Sequence, residues 1–205
     1  MSIFTSFRKT VIGSWISGLR VFYRRYLSPL RKQMGYCHPT ATVTRPIIIK
    51  GPENVYLHED TKIVDATIMT PYCKFTMKKH SSAAEGLKVI TGNHERRIGT
   101  FFRHIKQKDK SVGLDADVMV EEDCWIGVNV TLLMGVTVRR GTTVAGGAVV
   151  SKSTAPYSIV GGIPAKHIKF YWTIDQILEH EAKLYPENER YTREELESFF
   201  QQYSK

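Results

Sequence analysis

Histidine is the residue type in this chain best suited to proton transfer at neutral pH, because an imidazole titrates close to that pH. Of the seven histidines, His94 ends the sequence TGNH at 91–94 and begins a long segment without a regular pattern. A histidine in that position could act as a general base that removes a proton from an acceptor hydroxyl. His80 and His104 are the fallback candidates, and a surface histidine without a catalytic role is the alternative for each.

A cationic and aromatic segment follows His94. Residues 95–110 combine basic side chains with two adjacent phenylalanines, and long loops in compact domains are often functional. One interpretation is a flap that binds an anionic sugar or a lipid-linked sugar. The other is a solvated loop that packs its phenylalanines on a neighbouring subunit. For the first interpretation, the candidate acceptor-binding residues are Asn93, Arg96, Arg97 and Phe101.

The elements that must position these residues repeat every six residues. Written in rows of six, residues 114–155 carry an aliphatic residue in the first column of all seven rows, from Leu114 to Val150. The fifth column is small or β-branched throughout. Residue types that tolerate positive φ or form side-chain turns fill the fourth column, which reads Asp117, Asp123, Asn129, Gly135, Gly141, Gly147 and Ser153.

A period of six fits neither the 3.6-residue helix nor the simple alternation of a strand. It predicts an all-β solenoid, in which an aliphatic residue points inward from each short strand and three strands make one coil. A weaker block at 51–80 precedes the strong one, and LKVIT at 87–91 can form one more strand. A sandwich of short strands is the alternative, but it would not keep one phase over 42 residues.

Both ends of the chain are predicted to be helical. Residues 3–27 place apolar side chains at spacings of three and four. Two capping boxes, Thr173 with Gln176 and Thr192 with Glu195, begin helices that would cover the last coil and its sheet edge. We therefore expect an N-terminal helical segment at 1–30, a solenoid domain at 31–170 with a loop protruding at 92–113, and a helical cap at 171–205.

The composition is that of an ordinary globular protein. With 42% hydrophobic and 24% charged residues in 205, the chain is not a disordered one. A net charge of +9 suits an anionic partner. Three widely separated cysteines favour a reducing compartment over a disulfide framework, and no apolar run is long enough to span a bilayer. We expect a cytoplasmic protein whose residues 1–27 either pack against the solenoid or contact a membrane surface.

Three stretches of the sequence resemble the hexapeptide-repeat acyltransferases, which include galactoside, maltose and serine acetyltransferases and surface-polysaccharide O-acetyltransferases. They are WIGVNVTLLMGVTV at 125–138, VAGGAVVSKSTAPYSIVGGIPAKHIK at 144–169, and TGNH at 91–94. The resemblance implies a left-handed parallel β-helix that forms a homotrimer with active sites between subunits. It further implies transfer of acetyl from acetyl-coenzyme A, a co-substrate, to a hydroxyl of a sugar or of a surface-polysaccharide precursor, without a metal.

The same resemblance implies roles for single residues. His94 would activate an acceptor that attacks the thioester directly, and the backbone amide of Val128 would stabilise the oxyanion. Lysine at the phosphate-binding positions, where the family often has arginine, would make a looser contact. The resemblance places coenzyme A beside Trp125, Gly146, Ser151 and Lys152, and its phosphates beside Lys166 and Lys169.

Other functions compete with this one. A zinc-dependent carbonic anhydrase of the same fold needs three imidazoles, two of them paired as H-x4-H, whereas nine residues separate His94 from His104. A non-catalytic or membrane-associated binding module is the main alternative. Nucleic-acid binding would depend on charge alone, without a recognised motif, and is not expected. The sequence leaves open the acceptor, the choice between O- and N-acetylation, the acyl chain length and the group that orients His94.

Overall fold

The computed structural model describes residues 2–203, and within that range the side chains of 12–23 and 25–203. The chain winds into a left-handed parallel β-helix of about six turns with helices at both ends. The fold class predicted from the six-residue period is therefore confirmed. The strands are β1 (Tyr36–Cys37), β2 (Thr42–Lys50), β3 (Val55–Leu57), β4 (Lys62–Met69), β5 (Phe75–Met77), β6 (Ser82–Ala83), β7 (Leu87–Ile90), β8 (Val118–Val120), β9 (Trp125–Ile126), β10 (Thr131–Leu133), β11 (Thr137–Val138), β12 (Thr143–Val144), β13 (Val149–Val150), β14 (Ser158–Gly162) and β15 (Ala165–Phe170).

Each turn of the chain crosses three flat faces, which we call A, B and C in chain order. Face A contains β1, β3, β5, β8 and β11, paired in parallel in that order. Strands β2 and β4 bend around a corner, so that their first halves lie on face B and their second halves on face C. Face B continues through β6, β9, β12 and β14, and face C through β7, β10 and β13. Strand β15 returns antiparallel to β14 and ends the solenoid.

The first and fifth columns of the repeat form the interior. Val120, Ile126, Leu132, Val138 and Val144 are completely buried, in register from one turn to the next. Every fifth-column side chain is buried as well. Because the coils stack tightly, these positions have room only for aliphatic or other small side chains. The exception in the first column is Leu114, which is only half-buried because it lies at the base of a loop.

The fourth column makes the corners, as the residue types predict. Two of its members turn the chain differently: Asp117 Oδ1 accepts the backbone N–H of Lys74 at 2.7 Å, and Ser153 Oγ accepts that of Thr137 at 3.0 Å. These two side chains therefore bond to the backbone of a neighbouring coil. The other five residues have φ values between 56° and 75°, and they are Asp123, Asn129, Gly135, Gly141 and Gly147.

Helices α1 (Ser2–Phe22) and α2 (Leu30–Gln33) precede the solenoid, with a π-helical turn at Tyr23–Leu27 between them. Leu30 and Met34 are buried over the first coil and cover the open end of the core. The predicted apolar stripe on residues 3–27 includes Val11, and the side chains of 2–11 and of Arg24 lie outside the described ones.

Helices α3 (Ile174–Leu184) and α4 (Arg193–Tyr203) cap the other end. Both predicted capping boxes are present, with reciprocal bonds between Thr173 and Gln176 and between Thr192 and Glu195. The cap is held by a second apolar cluster, in which Tyr157, Ile177 and Leu196 are buried. Leu184, near the end of α3, is 60% exposed, whereas the neighbouring Tyr185 is buried.

Candidate active site

A long loop leaves the solenoid at the corner between faces C and A. The backbone N–H of Asn93 donates to the carbonyl of Leu114 at 2.9 Å, and that of Ala116 donates to the carbonyl of Thr91 at 2.9 Å. These bonds close the base of the loop, which comprises residues 92–115. The loop thus stands on the rigid edge of the solenoid although it follows none of its periodicity.

His94 lies on the exposed surface of this loop. Its backbone N–H donates to Asn93 Oδ1 at 2.8 Å. The ring packs against the edge of Phe102, with centroids 5.5 Å apart, and a shallow cavity is lined by His94, Phe102, Arg103 and Ile105. An acceptor entering this cavity would therefore reach the imidazole directly.

The two fallback histidines have different surroundings. His80 lies at the corner between faces A and B with a φ of 61°, and its Nδ1 is 3.2 Å from Asp60 Oδ2. His104 shares the loop with His94, where its ring meets that of Phe101 edge-on at 5.6 Å. His104 therefore lies in the same loop as His94 but does not line its cavity.

Glu95 ties the two halves of the loop together. Its carboxylate accepts hydrogen bonds from Arg97 Nε at 2.7 Å, from the backbone N–H of Ser111 at 2.7 Å and from the Ser111 hydroxyl at 2.9 Å. The bonds from Arg97 and from Ser111 lower the pKa of Glu95 to about 2. The Arg97 guanidinium also donates to the carbonyl of Asp109. Arg97, a predicted acceptor-binding residue, is thus engaged within the loop.

Asp115 makes a second anchor at the base of the loop. Lys110 Nζ lies 2.5 Å from its carboxylate, and Gln107 Nε2 donates to it at 2.7 Å. Partial burial opposes ionisation, but the bonds from Lys110 and Gln107 outweigh it and lower the pKa of Asp115. Among the described residues, Arg96 and Arg103 form no ion pair with a carboxylate, and Arg96 lies over the Phe102 ring at 5.1 Å.

Small residues stack in a strip along face B, which we call the groove. The register that pairs Ile126 with Val144 and Val160 stacks the residues that follow them, Gly127, Ala145 and Gly161. A Cβ atom on Gly127 would lie 2.7 Å from the Gly146 backbone nitrogen, so a side chain there has no room. Exposed Trp125 and Val128 lie at the edge of this strip. Glycine at position 127 therefore lets neighbouring coils pack closely, and the residues along the strip carry at most one carbon of side chain.

Val128 and Gly146 meet in the next column, at the corner between faces B and C. A Cβ atom added to Gly146 would lie 3.1 Å from Val128 Cγ2 and 3.7 Å from the Val128 backbone nitrogen. Within residues 2–203, the backbone N–H of Val128 donates to no acceptor. An N–H in this position could donate to a ligand oxygen, and the role that the resemblance implies for Val128 stays a prediction.

The predicted phosphate-binding lysines are only partly brought together. Lys152 and Lys166 line one cavity at the C-terminal end of the solenoid, beneath α4. Lys169, on the same hairpin as Lys166, is exposed and paired in register with Ile159. Ser151 is exposed at the corner before Lys152 and does not line this cavity.

His167 lines the same cavity, and the sequence reasoning missed it. Its ring lies between those of Phe170 and Tyr203, with centroids 4.5 and 4.8 Å away. Burial lowers its pKa, and its Nδ1 is buried without a hydrogen-bond partner. In the sequence, His167 is marked only by its place directly after the G-x-P-A-K turn. Its contact with Tyr203 could not be predicted, because Tyr203 lies in a helix far along the chain.

Within one chain, the candidate base and the groove lie at opposite edges of face C. His94 follows the end of β7, whereas Val128 precedes β10, the next strand on that face. The four residues of β7 cover roughly 13 Å at about 3.3 Å each. A single chain therefore does not place His94 beside Val128.

Two negative findings apply to residues 2–203. No group of three or more His, Cys, Asp or Glu side chains in that range is arranged to hold a metal ion. No helix there is both long and apolar enough to cross a membrane.

Comparison with curated proteins finds acetyltransferases, while no protein-family model matches the chain. A probable macrolide acetyltransferase of Lysinibacillus sphaericus is 31% identical over 115 residues, which cover 51% of this chain and 64% of the relative. A chloramphenicol acetyltransferase of Morganella morganii is 29% identical over 132 residues, or 60% of each chain. A tetrahydropyridine-dicarboxylate N-acetyltransferase of Brevibacillus brevis is 52% identical over 52 residues, covering 25% and 22%. The chain thus spans less than two thirds of the relatives it matches.

Solved structures with the same fold are hexapeptide-repeat acetyltransferases. One from Vibrio cholerae, in complex with acetyl-coenzyme A, superposes with a TM-score of 0.64 at 21% identity and covers 78% of this chain and 87% of its own. A galactoside acetyltransferase in complex with coenzyme A gives 0.61 at 15% identity, with 84% of both chains covered. The architecture defines this protein as a left-handed β-helix of hexapeptide repeats. Its sequence relatives are acetyltransferases and its structural neighbours are acetyltransferases of that fold.

Proposed function

We propose that the protein transfers an acetyl group from acetyl-coenzyme A to a hydroxyl of a sugar or of a surface-polysaccharide precursor, with His94 as the general base. The observation that carries this proposal is the backbone N–H of Val128, which has no acceptor within the described chain and lies beside Gly146. Such a donor at a groove lined by glycine suits the oxygen of a bound thioester. The likeness to acetyltransferases supports the same reaction.

The reaction needs two proton transfers, to and from the imidazole, and at the acyl carbon a C–O bond replaces the C–S bond. The imidazole of His94 takes the proton of the acceptor hydroxyl while its oxygen attacks the thioester carbon. The resulting tetrahedral oxyanion accepts a hydrogen bond from the N–H of Val128. Collapse of this intermediate breaks the C–S bond, and the leaving thiolate takes the proton back from the imidazolium. The products are the acetyl ester and free coenzyme A.

The distance between His94 and Val128 supports a site shared by two chains. Face C separates the two residues within one chain, so the base of one chain would act beside the groove of its neighbour. A cyclic homotrimer closes three such sites with identical contacts. Exposed apolar side chains on the loop, Ile98 and Val112, supply contact surface for the neighbour.

Coenzyme A would lie along face B and reach the C-terminal end of the solenoid. Its pantetheine arm fits the small-residue strip beside Trp125, and its phosphates fit the cations Lys152, Lys166 and Lys169. Ser151 is the predicted contact that the geometry supports least, because it is outside the cavity that contains Lys152.

The loop supports an anionic acceptor. Arg96 and Arg103 lie beside His94 without a carboxylate partner among the described residues, and Phe101 is 78% exposed. Sugars with an acidic group pair with such cations and pack on such rings. An amine acceptor is the second candidate, because the relative from Brevibacillus brevis is an N-acetyltransferase. The cytoplasmic location stays a prediction.

The test combines acetyl-coenzyme A binding, measured by calorimetry, with thioester turnover on a panel of acceptors. The panel holds neutral, acidic and amino sugars together with chloramphenicol and a macrolide. We expect His94→Ala to bind acetyl-coenzyme A as the wild type does, and to lose about 10²- to 10⁴-fold in turnover. His80→Ala, on another corner of the solenoid, is the matched control and should keep full turnover.

The other outcomes decide between the alternatives. If the wild type does not bind acetyl-coenzyme A, the fold is used by a non-catalytic binding module. If His94→Ala keeps its turnover and His104→Ala loses it, the base is His104. Hydration of carbon dioxide that requires added zinc, without thioester turnover, would favour the carbonic anhydrase class instead.

A further inference from the structure

The positive charge of the chain is concentrated at its N-terminus. The first 52 residues contain nine Lys and Arg and no Asp or Glu, since the first acidic residue is Glu53. The remaining residues contain 20 basic and 20 acidic side chains. The N-terminal quarter therefore carries the whole net charge of +9.

Helix α1 exposes its apolar side chains to solvent. Every described residue from 12 to 23 is exposed, and the solenoid covers none of them. The largest exposed fractions are 71% for Trp15 and 62% for Leu19. A monomeric soluble protein seldom leaves so contiguous an apolar surface open, and such a surface usually marks a binding site.

The apolar and polar residues of α1 lie on different sides of the helix. At 100° per residue, Ile12, Trp15, Ile16, Leu19 and Phe22 occupy one broad face. Arg20 lies at the border of this face, 40° from Ile16, and the opposite face holds Gly13, Ser14, Ser17 and Val21. An apolar face with large aromatics, bordered by a basic residue, is the pattern of a helix that lies in a membrane interface.

The junction with the solenoid holds α1 in a defined place. The Arg45 guanidinium donates to the carbonyl of Arg25 at 3.0 Å and also to that of Ser28. Leu30, two residues later, is buried over the first coil. A surface that binds α1 would therefore also hold the N-terminal end of the β-helix.

We propose that α1 binds the surface of an anionic lipid bilayer and makes this protein a peripheral membrane protein. The sign of the charge favours lipid over a second copy of the chain. Two α1 helices brought together would add like charges without any carboxylate, whereas anionic lipids neutralise them. Each basic residue close to such a surface strengthens binding by about fivefold. The inference does not depend on the proposed acetyl transfer.

Co-sedimentation of the full chain with vesicles tests the proposal. The vesicles are phosphatidylcholine alone or phosphatidylcholine mixed with phosphatidylglycerol, at low and at high salt. The wild type should bind the anionic vesicles at least tenfold more tightly than the neutral ones, and high salt should weaken this binding. The fluorescence of Trp15, taken as the difference between wild type and Trp15→Phe, should shift to the blue on binding.

Matched variants separate apolar insertion from charge. Leu19→Ser and Arg20→Glu should each weaken binding to anionic vesicles several-fold. The controls are Leu184→Ser, whose side chain is 60% exposed against 62% for Leu19, and Lys62→Glu on the exposed edge of β4, and both should bind as the wild type does. Because all four positions are exposed, thermal melting should stay unchanged.

Two results would overturn the proposal. The first is equal binding of wild type and Leu19→Ser to anionic vesicles, which would exclude insertion of α1. The second is a change of oligomeric state in Leu19→Ser, seen by sedimentation equilibrium, in a protein that binds no vesicles. That result would make α1 a contact between copies of the chain.

Discussion

Arg140 on the solenoid and Glu181 in helix α3 connect the β-helix to its cap, with Arg140 Nη1 3.1 Å from Glu181 Oε1. The carboxylate is completely buried. It also accepts the hydroxyl of Tyr157 at 2.8 Å and the backbone N–H of Tyr191 at 2.6 Å. Burial, together with the charge of Glu181, raises the pKa of Tyr157, so the hydroxyl stays protonated and remains a donor.

Loss of this carboxylate should destabilise the cap. Glu181→Ala leaves the Tyr157 hydroxyl and the Tyr191 N–H without this acceptor and removes one partner of Arg140, which keeps Glu122 and the Glu189 carbonyl. We therefore expect the free energy of unfolding to fall by about 3–5 kcal/mol. Chemical denaturation, monitored by circular dichroism, measures this free energy of unfolding. Glu179→Ala in the same helix is the control. Its pair with Lys183 is exposed and screened by solvent, so its loss should change stability little. Equal losses in the two variants would contradict the role of Glu181.

Two adjacent glycines separate an effect on binding from an effect on stability. A Cβ atom on Gly146 would press on Val128 Cγ2 at 3.1 Å, so Gly146→Ala should narrow the groove and weaken acetyl-coenzyme A binding by about tenfold. Gly147 has a φ of 73° and open space around its Cα. Gly147→Ala should therefore cost about 1 kcal/mol of stability and leave binding unchanged. Calorimetry measures binding and thermal melting measures stability for both variants. Weaker binding by Gly147→Ala and unchanged binding by Gly146→Ala would contradict a coenzyme A site beside Gly146.

The loop that Glu95 holds together should come apart only at strongly acidic pH. The pKa of Glu95 is lowered to about 2 from the ordinary value of 4.5. Because the folded-state pKa is the lower one, its contribution is complete above pH 4.5 and is lost as the pH falls towards 2. Pepsin should therefore cut the 92–115 loop of the wild type slowly at pH 4 and quickly at pH 2. Glu95→Ala should be cut quickly at both pH values, while Glu85→Ala should behave as the wild type.

The cavity at the C-terminal end should recognise phosphate through charge. Lys152 and Lys166 line it together, so Lys152→Ala and Lys166→Ala should each raise the Kd of acetyl-coenzyme A by about three- to tenfold at low salt. Higher salt should shrink this difference. Lys62→Ala, far from the cavity, is the control. Titrations at two salt concentrations would contradict the assignment if all three variants bound alike.

For the loop around His94, the sequence predicted the position but not the internal contacts. Its start at TGNH was predicted because LKVIT at 87–91, the last strand-like stretch before the strong repeat, ends there. Its internal order was not visible, since Glu95 meets Ser111 and Asp115 meets Gln107 across a segment without any period. The engagement of Arg97 by Glu95 likewise follows from no spacing rule.

The sequence by itself determined the β-helix and its corners. A solenoid coil contacts only its neighbours, so each six-residue row carries the information for its own strand and turn. The fourth-column residues from Asp123 to Gly147 accordingly take the positive φ that their types allow.

Only the tertiary structure decided which side chains meet. Stacking of coils set Gly127 against Gly146, and the return of β15 brought Lys166 to the cavity that contains Lys152. The same winding put His94 and Val128 at opposite edges of face C. Contacts between residues distant in the chain depend on the number and register of intervening coils, and a local pattern does not encode them.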